Sequence, residues 1–179
     1  MTKKQFIAIL AATVASCSLG TGAATATGAE THHSGPYCAS IVSKELDTTG
    51  HSKVVAESCS NRSVEDAHAK AKQIELGLSP NSAVSLQSDT LLLNEYKHAN
   101  YDTLLYSFWG TGGPCDSDGY HLYNFVSVAT EVSSMRGYNN CNSVAARNSN
   151  LQWGYIGLDS PYVGDAYNDD VRELQVYHG

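Results

Sequence analysis

Short apolar runs rich in Ile and Val flank a DTTGH turn: YCASIVSKEL (37–46) and HSKVVAESCS (51–60) read as two half-buried strands. The pattern then changes to helical spacing. Ser63 is a capping residue with Asp66 at the capping-box position, and Ala67, Ala71, Ile74 and Leu78 follow until Gly77 and Pro80 end the run. Beyond Ser88 the chain turns to short apolar runs punctuated by Gly and Asn, and ten of the eleven tyrosines lie from Tyr96 onward. Strands are expected near 91–96, 103–109, 121–128, 133–137, 143–147, 154–157 and 172–177, a spacing that suits a β-sandwich. The expected fold is therefore α+β and mostly β. A β-β-α segment over 37–88, a disulfide-linked hairpin and one helix, precedes a sandwich over 89–179.

The first residues change the compartment. Lys3 and Lys4 precede FIAILAATVAS, an apolar run too short to span a bilayer, so 1–29 reads as an export signal and its cleavage region, with 30–36 a disordered N-terminus. Two processing routes fit. Ala24-Thr25-Ala26 is a small-residue cleavage site, with a second site ending at Ala29, and favours soluble secretion, whereas Val14-Ala15-Ser16-Cys17 resembles a bacterial lipobox that would anchor the chain to a membrane through lipidated Cys17. Either route leaves Cys38, Cys59, Cys115 and Cys141, an even set that in an exported chain points to two disulfides. Cys38 and Cys59 lie symmetrically about the DTTG turn, which brings them face to face in a hairpin, and elimination then pairs Cys115 with Cys141. No C-x-x-C or H-x-x-x-H spacing supports zinc.

Charge narrows the partners. Losing Lys3 and Lys4 moves the formal charge from −7 to −9, an acidic balance that argues against nucleic acid and anionic lipid.

One internal repeat organises the second half. YKHANY (96–101) aligns with ARNSNL (146–151), sharing Asn100 and Asn150, and each is followed by a related closing element, EVSSMRGY and DVRELQVY, so that Val132 matches Val171 and Tyr138 matches Tyr177. At these residues the sequence resembles the βγ-crystallin superfamily, whose Greek-key motif carries an aromatic, four intervening residues, a second aromatic, one residue and a glycine. Tyr96 and Tyr101 fill the aromatic places and Thr103 takes the place of the glycine, a departure because a β-branched residue resists positive φ. In the second unit the same places hold Ala146, Leu151 and Trp153. The resemblance covers about 90–177 and implies a two-motif Greek-key sandwich.

The resemblance also implies functions. Members of this kind often bind calcium through an N/D-N/D-x-x-S/T-S stretch in each unit, with ligands exchanged between units. Here residues 129–134 keep the hydroxyls of that pattern and 168–173 keep its acidic pair, so Asn168, Asp169, Asp170 and Ser133 are the candidate calcium ligands, against the alternative of a solvated acidic turn. Actinobacterial metalloproteinase inhibitors share the architecture, which implies recognition of an extracellular protein such as a secreted protease. The segment GTGGPCDSDGY (110–120) suits that role as a disulfide-anchored loop, with Trp109, Asp116 and Asp118 as candidate binding residues. It lacks the G-K-[ST] ending of a phosphate loop. Trp153 and Tyr155 form a second candidate patch or, alternatively, part of the core.

No nucleophile elbow, H-E-x-x-H or paired carboxylate accompanies the histidines, so the expectation is a non-enzymatic binding protein. The remote alternative is a hydrolase in which His98 or His121 meets Asp102, Asp116 or Asp118 in one cleft.

Overall fold

The computed structural model describes residues 35–86 and 88–179. The expected export signal, the candidate lipidation site Cys17 and most of the 30–36 segment lie outside them. The described chain is mostly β, in two sheets with two disulfides. Strands β1 (Tyr37–Leu46), β2 (Ser52–Ser60), β3 (Thr90–His98), β4 (Asp102–Gly110) and β6 (Ser134–Gly137) form sheet A in the order β2-β1-β4-β3-β6. Strands β5 (Tyr120–Tyr123), β7 (Ser143–Arg147), β8 (Trp153–Gly157) and β9 (Glu173–Tyr177) form sheet B in the order β5-β9-β7-β8. Among the described residues no helix is long and apolar enough to cross a membrane.

The hairpin of β1 and β2 places Cys38 opposite Cys59, and both expected disulfides are present. The hairpin also joins the sheet built by the second half of the chain. β1 runs parallel to β4, with Cys38 opposite Tyr106 and Ile41 opposite Trp109, so the change of character near Ser88 is not a break in the sheet. Helix α1 (Val64–Glu75) begins at Ser63, whose hydroxyl accepts the Asp66 backbone N–H at 3.2 Å. The buried face of α1 is Val64, Ala67, His68, Ala71 and Lys72, whereas Ile74 and Leu78 are exposed. The polar His68 and Lys72 are drawn inside because Asp89 waits for both. The strand expected to run to Val128 stops at Tyr123, and Val126–Ala129 forms the short helix α2.

The main core lies between the sheets, where Leu92, Leu93, Tyr106 and Phe108 meet Tyr120, Leu122, Val144, Leu174 and Val176. The opposite face of sheet A is covered by α1, where Ile41, Ala56 and Ala71 pack with Trp109. There the His68 and Trp109 rings stack at 3.8 Å. His68 Nε2 and Lys72 Nζ lie 3.0 and 2.9 Å from the two oxygens of the buried Asp89 carboxylate. Burial works against the Lys72 charge, yet hydrogen bonds to Asp89 and Glu75 raise its pKa.

A second polar group sits inside the sandwich. Asn124 Nδ2 donates to Glu95 Oε1 at 2.8 Å, while Glu95 Oε2 and Asn124 Oδ1 are buried without partners. A proton on Glu95 lets Oε2 donate to Asn124 Oδ1, so the neutral acid and the amide can satisfy each other. Burial pushes the Glu95 carboxyl up to about 8, with the Asn124 hydrogen bond opposing. Burial likewise raises Glu57 to about 7 against the hydrogen bond it accepts from Tyr106.

The repeat has a backbone counterpart. Tyr101 and Leu151, which align between the two units, both take positive φ, at 64° and 62°, and Thr103 does so at 58°. A β-branched residue in that region costs on the order of 1–2 kcal/mol, so the surrounding hairpin must hold it there.

Two outcomes follow for stability. Asp89→Ala removes the carboxylate shared by His68 and Lys72 and leaves Lys72 with Glu75 beside it, so denaturant unfolding should show a loss toward the lower end of about 3–5 kcal/mol. A pKa raised on folding contributes stability that is complete below the unfolded value of 4.5 and is lost as pH rises through the folded value. Glu95→Gln, which keeps the paired geometry without a proton to lose, should therefore gain on the parent chain by about 1.4 kcal/mol per pH unit between about pH 5 and pH 8.

Candidate functional site

The 111–119 loop crosses from sheet A to sheet B, and the residues at its ends leave it little freedom. A side chain at Gly110 would meet the Tyr120 hydroxyl at 2.5 Å, and one at Gly119, where φ is +65°, would meet the Val176 carbonyl at 2.1 Å. Tyr120 is wholly buried and donates its hydroxyl to the Gly113 carbonyl at 2.7 Å. Cys115 is bonded to Cys141, its N–H donates to the Asn139 carbonyl at 3.1 Å, and its own carbonyl accepts from Asn140 Nδ2 at 3.1 Å.

The acidic residues divide in role. Asp116 accepts from Lys44 Nζ at 2.5 Å and from the Gly119 N–H at 2.9 Å, and its carbonyl accepts from the His178 N–H at 2.8 Å. The Lys44 hydrogen bond, followed by that of Gly119, holds the Asp116 carboxyl below its usual range. Asp118 is tethered only through its carbonyl, by Gln175 Nε2 at 3.0 Å, and its side chain is exposed beside those of Pro114 and Ser117. Trp109 stands apart from both. It lies on β4, half-buried against α1, and its indole Nε1 is covered without a hydrogen-bond partner.

The four candidate calcium ligands also divide. Asp169 and Ser133 line one open cavity of about 300 Å³ with Lys97, His98, Thr130 and Glu131. They are brought together by the backbone, because the Asp169 N–H donates to the Val132 carbonyl at 2.9 Å. Asn168 Nδ2 donates to Asp169 Oδ2 at 2.8 Å, and Glu131 is paired with Lys97 at 3.1 Å. Asp170 points away. It accepts from the Ser149 hydroxyl at 2.6 Å and from Arg172 Nε at 2.8 Å, and against its desolvation these bonds hold its carboxyl below the usual range. Among the described residues no three His, Cys, Asp or Glu side chains converge on one point. The cavity is lined by two carboxylates, Asp169 and a Glu131 already paired with Lys97, and by the hydroxyls of Ser133 and Thr130, the latter donating to the Val126 carbonyl at 2.9 Å.

His98 and His121 are not assembled together. His98 ends β3 in sheet A beside Asp169, and His121 lies on β5 in sheet B, with its N–H donating to Ser52 Oγ at 3.0 Å. The histidine with the richest surroundings is His51, which sequence reading leaves at a hairpin turn. Its Nδ1 lies 2.7 Å from Thr49 Oγ1 and its Nε2 3.6 Å from Glu173 Oε2, at the edge of a cavity of about 340 Å³ walled by Val42, Val54, Phe108, Leu122 and Phe125. A hydroxyl, an imidazole and a carboxylate in line resemble a nucleophile relay, but the Thr49 hydroxyl already donates to Asp47 Oδ1 at 2.6 Å. Asp47 also collects the Thr49 and His51 N–H groups, so these contacts shape the turn. No local signal reveals this grouping, because Glu173 comes from the last strand.

The chain matches no protein-family model, no curated protein and no solved structure.

Proposed function

We propose that this is an exported, non-enzymatic binding protein, a βγ-crystallin-like pair of Greek-key units whose 111–119 loop recognises an extracellular protein of the secreted-protease class. The observation that carries the reading is the bracing of that loop. A disulfide, the Tyr120 hydroxyl, the Lys44 ammonium and the His178 and Gln175 hydrogen bonds hold its backbone while Pro114, Ser117 and Asp118 stay exposed. A loop already ordered loses little conformational freedom on binding, which is what a tight inhibitor needs. The family reading is supported by the positive φ shared at Tyr101 and Leu151, by the same conformation at Thr103, and by the edge-to-face contact of Tyr96 with Tyr101 at 5.7 Å. Export is in keeping with the two disulfides. Against a panel of secreted metallo- and serine proteases, at least one should be inhibited. Asp118→Arg should weaken that inhibition at least about tenfold with no change in melting temperature. A panel without inhibition sinks the proposal.

The convergence of Asp169 and Ser133 favours a second reading, a weak calcium site that stabilises the fold. With Asp169 as the carboxylate not paired to a cation and Ser133 as a hydroxyl, the remainder of about six to eight oxygens must be carbonyls and water, which places the affinity in the range of about 10⁻⁴–10⁻³ M. Calcium at about 10 mM should then add roughly 1–3 kcal/mol of stability. Asp169→Asn, chosen because Asn tolerates the positive φ of 58°, should abolish that gain. An unshifted melting curve in the parent chain removes this reading.

A further inference from the structure

The four strands of sheet B turn alternate side chains away from the core, and their register sets those side chains in rows across the strands. Tyr123 faces Glu173, Glu173 faces Arg147 and Arg147 faces Trp153, which makes one row from edge to edge. His121, Gln175, Ala145 and Tyr155 make the next. The residues between them in sequence, Leu122, Leu174 and Ala146, point inward and are buried, as is Val144 on the far side of Ala145. Three strand spacings of about 4.8 Å make the first row about 14 Å long.

The aromatic residues of this face are uncovered. Tyr155 is 84% exposed, Trp153 54% and Tyr123 46%. Between them lies a polar centre whose groups are already oriented. Arg147 donates through Nη2 to Glu173 Oε1 and its guanidinium carbon sits 5.7 Å from the Trp153 ring, His51 Nε2 lies 3.6 Å from Glu173 Oε2, and Gln175 is held by the Asp118 carbonyl. Past Tyr123, whose ring is 5.4 Å from that of His51, the row opens onto the 340 Å³ cavity edged by Asp47 and Thr49.

Charge selects the ligand. Arg147 and Glu173 cancel, and neither row contains another Lys, Arg, Asp or Glu, so the face is neutral on a chain of net charge −7. A polyanion would find one cation, already paired, on an acidic body. A protein anchor prefers aromatics clustered at a dry centre, whereas here they flank the polar Arg147, Glu173 and Gln175. Separated aromatic faces with fixed donors and acceptors between them match a neutral molecule that is apolar on its ring faces and hydroxylated at its edges. We propose that the outer face of sheet B binds a neutral polysaccharide laid across the strands from Tyr123 to Trp153. Trp153, Tyr155 and Tyr123 stack on sugar rings, and Arg147, Glu173 and Gln175 exchange hydrogen bonds with hydroxyls. The site meets the 111–119 loop where Gln175 Nε2 donates to the Asp118 backbone carbonyl, and it does not rest on that loop's proposed role.

The test is native electrophoresis of the purified protein in gels containing xylan or soluble starch, with co-sedimentation on insoluble cellulose and chitin. At least one of these neutral polymers should retain the protein, and about 0.5 M salt should leave retention unchanged because no net charge is involved. Trp153→Ala and Tyr155→Ala should each weaken retention about tenfold, with melting temperatures within a degree or so of the parent chain. Asp118→Arg should leave it intact, which separates this site from the loop. The proposal is overturned if none of the four polymers retains the protein, or if the Trp153→Ala/Tyr155→Ala double variant binds as well as the parent. Retention confined to a polyanion such as heparin would overturn it too. A dimer in sedimentation that Tyr155→Ala dissociates would assign the face to a second copy of this chain instead.

Discussion

Burial of β4 on both of its faces is the constraint from which the rest of the architecture follows. Tyr106 and Phe108 point into the space between the sheets, while Trp109 points at α1. A strand covered on both sides must have neighbours at both edges, and it takes β3 in antiparallel and β1 in parallel pairing. That parallel pairing draws the amino-terminal hairpin, its disulfide and α1 into the body of the protein. It also sets the end of β4 beside β1, where the Thr111 N–H donates to the Val42 carbonyl at 2.9 Å and Lys44 reaches Asp116. The braced loop therefore begins at the end of a strand paired along both edges.

Polar groups inside this core are tolerated in two different ways. Lys72 and His68 approach the two oxygens of Asp89, so a buried ion pair locks α1 to the start of β3. Glu95 has no cation, and the protein accommodates it by raising its pKa and pairing it with an amide. The first arrangement depends on keeping partners together, the second on keeping a proton. His68 belongs to both descriptions: burial lowers its pKa while Asp89 opposes, and its ring serves as a flat surface for Trp109.

The outward-facing chemistry is distributed over different surfaces. The loop presents a rigid backbone with small and acidic side chains, the Asp169 cavity presents oxygens, and sheet B presents aromatic rings around a neutral polar centre. Gln175 links two of them, since it lies in the second row of sheet B and holds the carbonyl of Asp118. A protein with several such surfaces and two cross-links is suited to a role outside the cell, where cross-links persist.

Local chemistry was legible from the residues alone. The DTTG turn and the symmetry about it place Cys38 opposite Cys59, Ser63 starts the helix, and 143–147 is a strand within the bounds its pattern implies. Tyr101 and Leu151, aligned by the sequence pattern, share a positive φ. Each of these depends on neighbours within a few residues or on a pattern that recurs. The parallel pairing of β1 with β4, the inward turn of Lys72 and His68 in place of Ile74 and Leu78, and the grouping of His51 with Glu173 depend on segments far apart in the chain. The same holds for the rows of sheet B, because Tyr123, Glu173, Arg147 and Trp153 become neighbours only when three strand registers are set together. Period-two alternation says which residues share a face of one strand, but only the pairing of strands decides which faces meet.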